Sequence, residues 1–156
     1  MTTPPDRLEE VHRLFNSFLN QRGLRRTPER FWILDELYAS GEHLDAYELC
    51  RRLEEKGLRV SRATAYNTLE LLQDCGLVVR HQFGDNQARY ERAYGYRQHD
   101  HLICSDCGAV FEFCDPRIQG VREMIGQIYE SEIKHHALHF YGRCLREHCA
   151  NRPHNQ

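Results

Sequence analysis

The sequence predicts an α+β fold in two parts, and three features carry that reading. Apolar residues recur at helical spacing through the first half, at Leu8, Val11, Leu14, Phe15 and Phe18 and again through FWILDELYA. After Gly76 the period shortens to two, in LVVRHQF and ARYERA. A second unit begins near Gly95, with strand-like runs of its own and a concentration of cysteines and histidines.

Each element of the first half has a start or stop signal. Gly23 ends the first helix. Thr27-Pro28 offers an N-cap and a first-turn proline for the second. Asp45 with Glu48 makes a capping-box-like start for the third, which runs through Leu49 and Leu53 to Gly57. Ser61 caps the fourth, RATAYNTLELLQD, which stops at Gly76. The two alternating runs are joined by Gly84-Asp85-Asn86-Gln87, which suits a hairpin of about four loop residues. Helices followed by a two-stranded ribbon form the pattern of a winged helix-turn-helix, here assigned to residues 1-92. Residues 93-156 form an α/β unit: strands HLIC and AVFEF, a helix from Asp115 to Glu132, and a strand KHHALHFYG.

Composition sets the boundaries of function. The chain has 156 residues, enough for one ordinary domain or two small ones. No apolar run approaches the roughly 20 residues of a membrane span. The N-terminus carries acids early and lacks the basic-then-apolar order of a secretory signal, so a cytoplasmic protein is expected. Its seven cysteines then read as thiols or metal ligands rather than disulfides. A net charge of −2 gives no global signal for nucleic acid. Basic residues nevertheless cluster at Arg22, Arg25, Arg26 and Arg30, and at Arg51, Arg52, Lys56, Arg59 and Arg62, with acids interspersed.

The helix from Arg62 is the candidate reader of DNA. Ala65, Leu69 and Leu72 share one face, which packs inward. Arg62, Ala63, Tyr66, Asn67 and Glu70 lie opposite, with Thr64 nearby. An asparagine can pair bidentately with adenine, and apolar or aromatic groups can touch thymine methyls in the major groove. Arg25 or Arg26 could contact phosphates or enter a minor groove. The alternative is an ordinary polar helix face, made less attractive by the ribbon that follows in the position of a wing.

Two kinds of metal chemistry meet in the second unit. Cys104-x-x-Cys107 is followed by Cys144-x4-Cys149, and zinc favours four thiolates in a tetrahedron. His148 is an alternative to Cys149 as the fourth ligand. Buried free cysteines or a redox dithiol are the competing readings, and a dithiol needs no second pair. Cys50 and Cys75 fit the inner faces of helices, and Cys114 reads as structural. His99 and His101 point to one face of an extended chain, with Glu91 and Glu112 available as carboxylates. Such a mixture suits iron, manganese or zinc.

Together GLRRTPER, HLDAYEL, SRATAYNTLELL, GLVVRHQFGD, HDHLICSDCG, VFEF and HHALHFYGRC, in that order, resemble the ferric uptake regulator family of bacterial metal-dependent repressors. The likeness runs from about Gly23 to Cys149. It implies a winged-helix DNA-binding unit and a C-terminal dimerisation unit, with double-stranded operator DNA and a second copy of the chain as partners. Tetramers are a further family possibility, and no membrane or small-molecule substrate is implied. The Ser61, Arg62, Thr64, Tyr66 and Asn67 segment is the implied DNA reader, joined by Arg25 and Arg26.

The resemblance also implies a structural Zn²⁺ at Cys104, Cys107, Cys144 and Cys149. It places a regulatory metal, Fe²⁺ first and Mn²⁺, Co²⁺ or Zn²⁺ as alternatives, at His43, Glu91, His99, His101 and Glu112. His43 enters only through the resemblance. A further family site falls on Gln98, Asp100, Gln119 and His136. Two of its ligands are replaced by neutral amides, so that site is expected to be absent or weak, with His136 a hydrogen-bonded strand histidine and His135 and His139 on the other face. Peroxide-sensing relatives are similar at Tyr66-Asn67 but carry aspartate where Glu91 and Glu112 stand, which favours iron. Zinc-responsive relatives often place a cysteine in the sensing site, and only Cys114 could serve. A zinc enzyme built on His99, His101 and Glu91 is a distant alternative, since five protein ligands leave little room for substrate. A zinc-stabilised interaction module without DNA is the third class.

Overall fold

The computed structural model describes residues 5-84 and 86-145. It divides into two compact units, 1-97 and 98-156.

The first unit packs four helices and a ribbon around one core. The helices are α1 (Pro5–Gln21), α2 (Pro28–Ser40), α3 (Ala46–Glu55) and α4 (Arg62–Asp74). The strands β1 (Val78–Gln82) and β2 (Ala88–Arg92) pair antiparallel, with Val79 opposite Glu91 and His81 opposite Arg89. Val11, Phe15 and Leu19 of α1, Leu34 and Leu37 of α2, Leu49 and Leu53 of α3 and Leu69 and Leu72 of α4 are buried in that core. The apolar spacing of the sequence is therefore the inner stripe of each helix.

The caps differ in kind. Asp45 accepts a hydrogen bond from the Glu48 amide at 2.7 Å, and Ser61 accepts from the Thr64 amide at 3.1 Å. Thr27 occupies the expected N-cap position but makes no side-chain cap bond, so Pro28 alone marks the start of α2. Gly57 and Gly76 both have φ of 77°, and each closes a helix where an L side chain would be strained.

Residues 93-97 belong with the first unit, beyond the boundary expected after Arg92. The Ala93 amide donates to the Leu77 carbonyl at 3.0 Å, and the Tyr94 hydroxyl donates to Glu10 at 2.7 Å. Tyr96 packs edge-on against buried Tyr38. Two tyrosines thus tie this segment down where the sequence suggests a linker.

In the second unit, β3 (Asp100–Cys104) is central, with β4 (Val110–Phe113) antiparallel on one side and β5 (His139–Gly142) parallel on the other. Helix α5 (Pro116–Ile128), capped by Asp115, ends earlier than expected. The last strand is also shorter than KHHALHFYG: residues 131-138 are irregular, so His135 and His136 are not strand residues. Along α5, Val121, Met124, Ile125 and Ile128 form an exposed apolar stripe at helical spacing. Among the described residues no helix is long and apolar enough to cross a membrane.

Candidate metal centres and nucleic-acid interface

Helix α4 buries Ala65, Thr68, Leu69 and Leu72 and leaves Arg62, Ala63, Tyr66, Asn67 and Glu70 exposed. Tyr66 is 52% exposed although it is a large aromatic residue, as a groove-reading group must be. The Ser61 hydroxyl caps the helix and lies 2.8 Å from the Thr64 hydroxyl, so both are engaged within the first turn. Arg62 lies over the Tyr47 ring. Arg25 and Arg26 are exposed ahead of α2, Arg26 above the Phe31 ring and Arg25 accepting from Arg30 through its carbonyl.

Much of the second basic cluster is neutralised locally. Arg51 pairs with Glu48 and Glu55, Arg52 with Glu48 and Glu42, and Lys56 with Glu36. Hydrogen bonds from Arg51 and then Arg52 hold the Glu48 carboxyl down at about 2. These residues shape a surface more than they attract phosphate.

The first unit carries one set of metal-type donors. Leu44 and Tyr90 exchange both backbone hydrogen bonds, at 3.0 and 2.8 Å, in an isolated antiparallel bridge to β2. That bridge sets His43 beside Glu91, with Nε2 of His43 2.9 Å from Oε2 of Glu91. His81, on the same face of the ribbon, brings its Nε2 to 2.6 Å from the other oxygen, Oε1. The His81 ring stacks on Phe83 at 5.2 Å, and His43 meets Phe83 edge-on.

The second unit carries another set. His101 sits opposite Glu112 of β4 and His139 of β5, so three side chains cross one face of the sheet. His99, two residues earlier, turns the same way. One donor atom each from His99, His101 and Glu112 lies within 4.8 Å of the others, and His101 and His139 meet the same limit. His101 is 1% exposed. Imidazole and carboxylate donors without thiolate suit a divalent first-row ion, so both sets fit such a metal chemically.

The thiols lie at the other end of β3. Gly108 donates to the Cys104 carbonyl at 2.8 Å and Cys104 to the Ala109 carbonyl at 2.9 Å, closing a tight turn that contains Cys107. The chain leaving β5 is tied to this turn: Ser105 donates to the Gly142 carbonyl at 2.8 Å, and the Cys144 amide to Asp106 at 3.2 Å. Cys149 and His148 lie outside the described residues. Exposed Cys114 places its sulfur 3.3 Å from the Gln98 carbonyl. Cys50 and Cys75 pack against the core of the first unit, where burial pushes both thiols up.

The remaining set of Gln98, Asp100, Gln119 and His136 is occupied internally. His136 Nε2 lies 3.0 Å from Asp100, the Gln98 amide donates to the His136 carbonyl, and Gln119 donates to Glu123 at 3.3 Å. Asp100 is buried with this histidine as its partner. His81 and His139 are the donors that sequence reasoning missed. Strand register would have found both, because each lies on the same sheet face as a residue already singled out.

Comparison with known proteins places the chain in a family. The model of the ferric uptake regulator family matches residues 21–141. The ferric uptake regulation protein of Vibrio anguillarum is 34% identical over 139 residues, covering 88% of this chain and 93% of that protein. The structure of the Pseudomonas aeruginosa ferric uptake regulator with manganese is 35% identical, with a TM-score of 0.73 over 84% of this chain and 98% of that one. The Helicobacter pylori regulator, described as having three functional metal-binding sites, is 26% identical, with a TM-score of 0.76 over 88% of this chain and 91% of that one. The chain therefore belongs to the ferric uptake regulator family, whose members are dimeric, DNA-binding, metal-responsive transcriptional regulators and not enzymes.

Proposed function

We propose that this chain is a homodimeric, ferrous-iron-responsive repressor that binds palindromic operator DNA in the cytoplasm. In this reading the first unit, residues 1-97, binds DNA and the second, residues 98-156, dimerises. Zn²⁺ is held by Cys104, Cys107, Cys144 and Cys149, and Fe²⁺ by His43, Glu91, His99, His101 and Glu112.

The observation that carries the reading is that each unit separately gathers donors of one chemical kind. His43 and Glu91 meet across the Leu44–Tyr90 bridge, and His99, His101 and Glu112 meet on one sheet face. A divalent ion ligated from both units supplies a link that fixes their relative orientation. The protein's own contribution is to preorganise each half of the ligand set. Symmetry in a dimer sets two α4 helices on successive half-sites, with Tyr66 and Asn67 turned toward base edges and Arg25 and Arg26 toward the backbone. The exposed apolar stripe of α5 supports a second copy as partner, since a contiguous row of Val121, Met124, Ile125 and Ile128 is costly to leave in water. The set of Gln98, Asp100, Gln119 and His136 we read as degenerate, with His136 serving Asp100.

Mn²⁺, Co²⁺ or Zn²⁺ would also satisfy three imidazoles and two carboxylates, and cellular availability then decides. A peroxide sensor is the second reading, disfavoured by glutamates at positions 91 and 112. The test is anaerobic operator binding by zinc-loaded protein, titrated separately with Fe²⁺, Mn²⁺ and Zn²⁺ and then exposed to low peroxide. Iron-dependent binding that survives brief peroxide supports the iron regulator; rapid loss with oxidation at His43 or His99 selects the peroxide sensor. His99→Ala is expected to abolish metal-dependent binding while leaving zinc content and the dimer intact.

A further inference from the structure

His81 stands outside the five-residue regulatory set, yet the first unit is built to hold it against a member of that set. It is 7% exposed, its ring is stacked on Phe83 at an interplanar angle of 11°, and its Nε2 lies 2.6 Å from Oε1 of Glu91. Glu91 Oε2 lies instead 2.9 Å from Nε2 of His43. The two oxygens of one carboxylate therefore face two different imidazoles.

We propose that His81 is a positioning residue for the regulatory metal: it holds Oε1 of Glu91 by hydrogen bond, so that Glu91 offers Oε2 alone, beside His43, as a one-oxygen ligand. The proposal rests on the reading of Glu91 and His43 as metal ligands. In this pairing the His81 imidazole is the donor and Oε1 of the ionised Glu91 carboxylate, which can only accept, is the acceptor. Phe83 fixes the ring plane, and the diagonal placement of His81 and Glu91 on the paired strands fixes the distance. Without this hold the carboxylate is free to rotate about its own axis and to bind through both oxygens. Groups that orient a ligand in this way typically change metal affinity by about 10–100-fold.

Cobalt(II) is a suitable probe, because its visible absorption reports coordination number as well as occupancy. Zinc-loaded wild type, His81→Leu, His81→Gln and His99→Ala are titrated anaerobically with Co²⁺, and thermal melts of the zinc-loaded proteins before cobalt is added show that each variant folds. The expected result is about 10–100-fold weaker binding in His81→Leu, with a shift in band intensity toward higher coordination. His81→Gln, whose amide can donate to Glu91 from a similar distance, should recover most of the affinity and the wild-type spectrum. If His81→Leu binds Co²⁺ like wild type with an unchanged spectrum, the positioning role is wrong while the five-ligand reading stands. If His81→Gln is as impaired as His81→Leu although both fold, the role is overturned in favour of direct ligation. If wild type binds no Co²⁺ that depends on His99, the regulatory-site reading falls and this proposal falls with it.

Discussion

The two units solve the burial problem differently. The first encloses a continuous core in which Phe15, Leu34, Leu49, Leu69 and Leu72 are all fully buried. Among the described residues the second spreads a three-stranded sheet and one helix, and α5 contains no buried residue. Its apolar side chains face outward instead, in the stripe from Val121 to Ile128 and at Phe140 and Tyr141. A small sheet with one helix buries too little surface to be stable unaided, and metal or a partner usually makes up the difference. The comparison teaches that stability in the first unit is local, whereas in the second it depends on things outside the fold.

The largest test of that contrast is Cys104→Ala. Structural zinc contributes on the order of 10 kcal/mol in small zinc domains, so if the proposed zinc site is right this variant should lose bound zinc and self-association together. The helical circular dichroism of the first unit should persist. A zinc-free dimer would break the comparison.

Leu69→Ala acts on the other side of it. Leu69 is fully buried in α4, and such truncations cost about 2–5 kcal/mol. Denaturant unfolding should show the first unit melting early while zinc content and dimerisation remain as in wild type. Loss of the dimer would show that the two units share their stability.

Ile125→Asp sharpens the claim that a second copy covers α5. An aspartate there should be tolerated by an exposed position in the monomer, yet weaken dimerisation at least about tenfold, or roughly 1.4 kcal/mol, in sedimentation experiments. Unchanged association would point to a different interface.

The smallest effect is expected at Glu48. Its carboxyl is lowered from an ordinary 4.5 to about 2 by Arg51 and Arg52. A carboxyl depressed by folding stabilises the native state above its ordinary range and loses that contribution as pH falls through its folded value. Glu48→Gln should therefore be less stable than wild type near neutrality, by well under about 1 kcal/mol because the pairs are partly exposed. The difference should shrink below pH 4.5 and vanish near pH 2. A gap that stays constant with pH would mean the pairs do not act through charge.

Much of the molecule was legible in the sequence because its signals are local. Helical period located α1 to α4, alternation located the ribbon, and Asp45 and Ser61 announced their own helix starts. Legibility failed where distant contacts decide. Tyr94 and Tyr96 look like linker residues until their partners on α1 and α2 are known. KHHALHFYG alternates like a strand throughout, but only His139–Gly142 finds a neighbour on β3. His43 was readable only by family likeness, because a two-bond bridge at Leu44, which has no sequence signature, is what brings it to Glu91. His81 was passed over for the same reason: its importance lies in the diagonal of a strand pair, not in any motif.

Glu91 joins two surfaces of the first unit. It lies on β2, in the ribbon that forms the wing. If Glu91 is a metal ligand and the wing touches DNA, one rigid hairpin is gripped at two places. Linkage then works in both directions: whatever factor the metal adds to operator affinity, the operator must add to metal affinity. A regulator already seated on DNA would then keep its metal down to a lower free concentration than one diffusing free, so bound and unbound copies would respond at different metal levels.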